Sequence, residues 1–278
     1  MTRSDCLKSL VESSVNIDIL CIDNASQDKT TALIRERYPS VKLIVNKQNT
    51  GFGKANNIGF EYCLRELYDY AFLLNQDARV ESSAVQELVN IHVANPIFGI
   101  ISPLQRGQSN DDLEYIFSSW LAPKNTPQLI SDFVIGNTIR EVYETSFVNA
   151  AIWLVSIECL NKVGFFDPDF PHYGEDNDYA RRVIKAGLKI GVAPNVLANH
   201  ARYKVKIKKG DENFGSRKNR RYVELLVEYK QNPSSFFKKW IYFFRKMLVE
   251  VVHDLILFDR EDLTLTFGAY KKLLFSRK

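Results

Sequence analysis

The chain has 278 residues, 45% of them hydrophobic and 25% charged, which is enough to bury a large core as one domain with an extension. A net charge of +4 is small for this length and gives no reason to expect nucleic-acid binding, and the composition excludes disordered, collagen-like and disulfide-built chains. The cysteines at 6, 21, 63 and 159 show no CxxC spacing, so they read as reduced, mostly buried thiols rather than as a zinc site.

The apolar run Ile17 to Ile22 stops at Asp23-Asn24-Ala25-Ser26, the pattern of a buried parallel strand entering a loop. Asp28 is placed to cap a helix that ends before Pro39, and Val41 to Val45 is the next strand. Gly51-Phe52-Gly53 opens a helix in which Ala55, Ile58, Gly59, Tyr62 and Cys63 share one face. A strand from Ala71 to Leu74 ends at Asn75-Gln76-Asp77, a helical face follows through Val85, Leu88, Val89 and His92, and Ile97 to Ile101 is again a strand. This alternation predicts an α/β domain with a mostly parallel sheet covered on both faces.

Between Ser102 and about Thr145 the periodicity is lost, broken by Pro103, Pro123, Pro127 and Gly136, and the stretch reads as acceptor-side loops. A strand from Phe147 to Val155, a helix to Val163, a loop from Gly164 to Gly174, a helix to Gly187 and two short strands to His200 complete the expected core.

Three groups of residues carry chemistry. Asp23 and Asp77 follow strand ends, where open α/β sheets bind ligands, although either alone would serve equally well as a turn former. Glu175, Asp176 and Asp178 crowd one helix start, where one or two carboxylates are explained by capping and the helix dipole and three exceed that need. His200 ends an apolar strand; a lone histidine is usually structural, but beside a carboxylate it completes a divalent-metal site. No Walker, dinucleotide, calcium-loop or GxSxG pattern is present.

The strings CIDNASQDKT, NKQNTGFGKANNIGF, LLNQDA, VGFFDPDFPHYGEDNDYARRVIKAG and the Asn199-His200 pair, taken in order, resemble family 2 glycosyltransferases of the rhamnosyltransferase-like subgroup over roughly residues 5 to 230. The resemblance implies a Rossmann-like A-type glycosyltransferase fold over residues 1–215, followed by a basic, aromatic helical extension over 216–278. It also implies an inverting hexosyltransferase-type enzyme that uses Mg²⁺ or Mn²⁺ and a dTDP- or UDP-sugar, acts on a glycan or lipid-linked acceptor in cell-surface polysaccharide synthesis, and has no nucleic-acid partner. Asp23, Asn24, Gly51, Asn56 and Asn75 map to the nucleotide pocket, Asp77 and His200 to the metal site, and Asp176 to the catalytic base with Glu175 in reserve.

Asn75 stands where many relatives carry the first acid of the metal motif, which bears on the donor more than on activity. The family's first strand has no counterpart here, since Asp5 to Leu10 already reads as the helix after it, and such a gap would leave a sheet edge exposed. A catalytically impaired sugar-nucleotide-binding or scaffold protein is therefore the alternative; a nucleotidylyltransferase is disfavoured by the lack of a Gly-rich N-terminal loop.

Basic residues concentrate late in the chain, at Lys204, Lys206, Lys208, Lys209, Arg217, Lys218, Arg220 and Arg221. Residues 234–258 mix Phe236, Phe237, Trp240, Ile241, Phe243 and Phe244 with Lys238, Lys239, Arg245 and Lys246. That pattern fits either a helix on an anionic membrane or a packing helix with a solvated charged face. With no leader peptide or spanning run in the sequence, the expected location is the cytoplasm, peripheral to the inner face of the plasma membrane.

Overall fold

A computed structural model describes residues 3–170, 173–201, 214–256 and 260–275; Lys204, Lys206, Lys208 and Lys209 lie outside them. The first half of the chain runs α1 (Arg3–Val11), β1 (Leu20–Asp23), α2 (Thr30–Arg37), β2 (Lys42–Val45), α3 (Phe52–Arg65), β3 (Tyr70–Leu74), β4 (Ala78–Val80), α4 (Ala84–Ala94) and β5 (Phe98–Arg106). It continues with α5 (Tyr115–Trp120), α6 (Leu129–Ile135), β6 (Tyr143–Thr145), β7 (Ile152–Ser156), α7 (Ile157–Val163), α8 (Glu175–Lys185) and β8 (Lys189–His200). Helices α9 (Phe214–Gln231), α10 (Phe236–Ile256) and α11 (Arg260–Phe275) end it.

The chain divides into two compact units, one of Met1–Pro171 with Glu175–Tyr203 and one of His172–Gly174 with Lys204–Lys278. The expected boundary after residue 215 falls inside α9.

In the first unit, β1 and β2 form a two-stranded parallel sheet, and the remaining strands form a sheet of order β3-β7-β5-β8-β4 with β6 on β8. This corrects the expectation of a mostly parallel sheet. Only β5 and β8 run parallel in the larger sheet, while β3–β7, β5–β7, β4–β8 and β6–β8 are antiparallel. The cause lies in the connections. Up to β5 a helical crossover makes parallel neighbours only of β1 and β2, while β7 inserts between β3 and β5 in the opposite sense to both.

The stretch from 102 to 145 is also more regular than expected. It holds the last five residues of β5, the short helices α5 and α6, and β6. Glu114 caps α5 by accepting from the Ile116 and Phe117 amides, a device too local to show in hydrophobic periodicity. The strand expected from 147 begins only at Ile152.

Strand β7 is buried on both sides, which explains its unbroken apolar run. Trp153 and Val155 face a core shared with α3, α7 and α8, while Ile152 and Leu154 face a second core beneath α4. On the first side Phe60, Phe166 and Tyr179 stack with ring centroids 5.5 and 4.9 Å apart, tying α3 and α8 to the loop after α7. Asn57 reinforces this link, donating to the Phe166 carbonyl at 2.8 Å and accepting from its amide at 2.9 Å.

The two strands expected before His200 are one bent strand. Its first half pairs with β5 up to Ala193 opposite Pro103, and the next pair is Leu197 with Leu104. Residues 194–196 are thus extra on β8, and such a bulge bends a strand and re-aims the residues beyond it. The redirected end pairs antiparallel with β4, setting His200 opposite Ala78.

Among the described residues, β1 and β3 each keep one edge that pairs with no strand. Helix α3 packs against both. All four thiols are free, with Cys6 and Cys159 buried and their thiols pushed up to about 12 chiefly by that burial, as expected of inert cysteines.

Candidate active site

Of the residues singled out in the sequence, Asp23 and Asn24 stand at the end of β1, Asn75 and Asp77 follow β3, and Glu175 and Asp176 open α8. Asp23 closes β1, is buried, and accepts from the Ser26 amide at 3.0 Å, so the loop after the strand turns on its carboxylate. Asn24 has a positioning role. Its Oδ1 accepts from Asn46, from the Thr50 amide and from the Thr50 hydroxyl, while its Nδ2 donates to Asn49 and to the Gly51 carbonyl. The side chain is spent on holding the loop 46–51.

That loop ends at Gly51, whose φ of 86° lies in the region natural only to glycine and aims the chain into α3. Asn56, one turn into α3, donates back to the Phe52 carbonyl at 3.0 Å. Gly53 matters because it has no side chain: a Cβ there would lie 3.1 Å from the Phe166 Cβ and 3.4 Å from the Glu175 Cγ. Its absence lets Glu175 seat against the start of α3.

The segment after β3 is fixed by its backbone. The Asn75 amide donates to the Ala151 carbonyl at 2.9 Å, and the Ala78 amide closes a turn onto the Asn75 carbonyl. Asp77 is half-exposed, with 46% of its side chain accessible, and its carbonyl accepts from the Ala201 amide. The bend in β8 therefore brings His200 to it, with Nε2 3.4 Å from Asp77 Oδ1. This separation is within ion-pair range and is not a hydrogen bond: both His200 nitrogens lack partners among the described residues although the residue is only 1% exposed.

A buried imidazole with neither nitrogen satisfied is costly unless a ligand completes it. Paired with a half-exposed carboxylate, it is a donor set suited to a divalent ion whose other ligands come from phosphate oxygens and water. No group of three or more acidic, histidine or cysteine side chains that could enclose a metal exists among the described residues. Asp77 and His200 thus fit an open two-residue metal site and do not form a closed one.

At the start of α8 the three carboxylates part company. Asp178 is structural: buried, it pairs with Arg182 at 2.8 Å, and Arg182 donates in turn to the Val163 and Phe165 carbonyls. Asp176 is partly exposed and caps the Asn177 amide at 2.8 Å. Glu175 is 5% exposed with Oε2 unpartnered, and burial, with a further push from the Asp176 charge, raises its carboxyl to about 7.

Two polar residues here escaped the sequence reading, Asn57 and Asn149. Asn57 sits one residue from Asn56 in a run of polar residues, and Asn149 interrupts the apolar run Phe147–Val155, a signal that was available.

The profile described as "Glycosyl transferase family 2" matches residues 4–141. The chain is 21% identical over 195 residues to "dTDP-rhamnosyl transferase RfbF" of Shigella flexneri, covering 67% of this chain and 60% of that protein. It is 24% identical over 211 residues to "N-acetylglucosaminyl-diphospho-decaprenol L-rhamnosyltransferase" of Mycobacterium tuberculosis, covering 66% of each. The chain thus spans just under two thirds of these relatives' lengths. Among solved structures it resembles the mannosyltransferase PcManGT of Pyrobaculum calidifontis, solved with GDP-Man and Mn²⁺, at a TM-score of 0.58 and 14% identity, covering 99% of this chain and 84% of that one. That likeness establishes the A-type glycosyltransferase fold.

Glu175 gives a pH signature. Its folded-state value lies above the unfolded one, so folding favours the protonated acid, and this stabilisation is complete below the ordinary glutamate range and lost as pH rises through about 7. Urea unfolding at pH 4.5 and pH 8 should show the wild type losing up to roughly 3 kcal/mol that Glu175→Gln retains. Equal pH dependence in the two proteins would mean that Glu175 is ionised without cost.

Proposed function

Because this chain carries a family 2 glycosyltransferase domain, we propose that it transfers a sugar from a nucleoside-diphosphate donor to a hydroxyl of a glycan or lipid-linked acceptor, inverting the anomeric centre, in cell-surface polysaccharide synthesis. The single observation that carries the reading is His200, buried, unpartnered at both nitrogens and set 3.4 Å from Asp77 by the bend in β8. The names of the two relatives favour a rhamnosyl donor activated by dTDP, with UDP-sugars as the next class.

In this reading Asp77 and His200 would hold Mg²⁺ or Mn²⁺ with the donor's diphosphate, and the loops after Asp23 and before Gly51 would receive the nucleoside. The ion, when bound, offsets the negative charge that grows on the departing diphosphate. Asp176 takes the proton of the acceptor hydroxyl as its oxygen forms a bond to the anomeric carbon. The bond from that carbon to the diphosphate breaks, and its electron pair leaves with the phosphate oxygen.

The second reading, a sugar-nucleotide-binding scaffold without turnover, draws on the edges of β1 and β3 that pair with no strand among the described residues. A panel of dTDP-, UDP- and GDP-sugars with Mn²⁺ and a glycan or polyprenyl-linked acceptor separates the two. Release of nucleoside diphosphate should fall by about 10²-fold or more in Asp176→Asn while donor binding persists. Donor binding with no turnover from any acceptor would select the scaffold, and loss of turnover in Glu175→Gln alone would move the base to Glu175.

We also propose peripheral membrane contact through α10. One side of this helix packs within the tail unit, where Phe243 is buried against Tyr229, Lys246 pairs with Glu228 and Arg221 with Glu250. Phe237, Ile241, Phe244, Leu248, Val252 and Leu255 recur at helical spacing and are exposed, with Lys238 and Arg245 also exposed on the same helix. No helix among the described residues is long and apolar enough to cross a membrane, so the contact is with the surface. Phe244→Glu should abolish flotation with phosphatidylglycerol vesicles and leave the helical content unchanged; undiminished flotation would contradict this contact.

A further inference from the structure

Two side chains among the described residues of the first unit have both of their polar atoms buried and without hydrogen-bond partners: His200 and Asn149. The other buried polar residues of that unit use at least one such atom, as Gln105 does on Ser102, His92 on Tyr70 and Asp132 on Tyr143. Asn149 is 7% exposed, and neither Oδ1 nor Nδ2 is paired.

Its place in the fold joins it to the donor segment. Strand β7 pairs with β3 so that Ile152 lies opposite Leu74, and the residues just before Ile152 therefore extend past the same end of β3 as Asn75-Gln76-Asp77. The Asn75 amide bonds the Ala151 carbonyl, and the Ala151 amide bonds the Asn149 carbonyl at 2.8 Å, so the Asn149 backbone is built onto the turn that leads to Asp77. A primary amide buried without partners is paid for in stability, and it persists where a ligand supplies the missing bonds.

We propose that Asn149 reads the donor's sugar: its side-chain amide donates to and accepts from hydroxyl groups of the transferred sugar. This rests on the donor-site reading given above. The chemistry matches on both sides, since an amide offers two donors and an acceptor while a sugar hydroxyl both donates and accepts. The sugar is attached directly to the diphosphate placed at Asp77, so the residue built onto the Asn75 turn is positioned to meet the sugar rather than the base. A buried amide of this kind discriminates strongly, because a sugar lacking the matching hydroxyl leaves it unpaired.

The test is calorimetric titration of the full chain with Mn²⁺ and the pairs dTDP and dTDP-L-rhamnose, and UDP and UDP-glucose, on wild type, Asn149→Ala and Asn149→Leu, with thermal unfolding of each. For the pair that binds, the ratio of the sugar nucleotide's Kd to that of its nucleoside diphosphate should rise about tenfold in both variants, the loss of one good hydrogen bond, with the nucleoside diphosphate's own Kd unchanged. Asn149→Leu, which replaces unpaired polar atoms with an apolar side chain of similar size, should unfold about 2–4 °C higher than wild type. An unchanged ratio, an equal loss for both members of a pair, or a lower unfolding temperature for Asn149→Leu would overturn this proposal and leave the donor-site reading standing. Binding of neither pair by the wild type would overturn both.

Discussion

The site depends on the bend in β8. Without the three-residue shift in register against β5, a different residue would stand opposite Ala78 and His200 would not meet Asp77. Three extra residues at 194–196 break the register, after which residues 197–199 pair parallel with β5 again while residues 198–200 pair antiparallel with β4. Because β4 follows β3 after a three-residue turn, the same bend lays the end of β8 over the Asn75-Gln76-Asp77 segment. Backbone pairing thus does the long-range positioning, and the side chains need only point the right way.

Around this frame the polar residues fall into two kinds. Asn24, Asn57 and Asp178 are engaged by backbone or side-chain partners: Asn24 fastens the loop 46–51, while Asn57 directly and Asp178 through Arg182 fasten the loop after α7. His200, Asn149 and Glu175 are buried with atoms left unpaired, and all three lie in the first unit, His200 at the end of β8, Asn149 just before β7 and Glu175 at the start of α8. The first kind contributes to stability, while the second kind draws on it, and a fold tolerates the second kind where ligand binding supplies the return. Asp176 stands between the two, capping an amide while remaining partly accessible.

Much of this was legible in the sequence, and what was missed has a common cause. Strands β1 to β3 and helices α3 and α4 appear from periodicity because their burial pattern is local and repeats. The antiparallel insertion of β7 and the continuity of β8 through its bulge are decisions about partners distant in sequence, which no local pattern records. Asp77 and His200 were readable as residue types in suggestive places, and their approach to 3.4 Å was not. Asn149 left a trace, a polar residue in an apolar run, but its meaning required knowing that neither face of β7 reaches solvent and that no neighbour satisfies it. The split between Asp178 as anchor and Glu175 as a strained acid likewise depends on Gly53, 122 residues away from Glu175 in the chain (175 − 53), leaving room for its side chain.

The central claim is that Asp77 and His200 together hold a metal-bound diphosphate, and calorimetric binding of dTDP and UDP, with and without Mn²⁺, tests it most directly. The account predicts that nucleoside-diphosphate binding to the wild type requires the ion, and that Asp77→Ala and His200→Ala each abolish the metal-dependent part while leaving the fold intact by circular dichroism. Binding that is equally strong without the ion, or that survives in both variants, would contradict it.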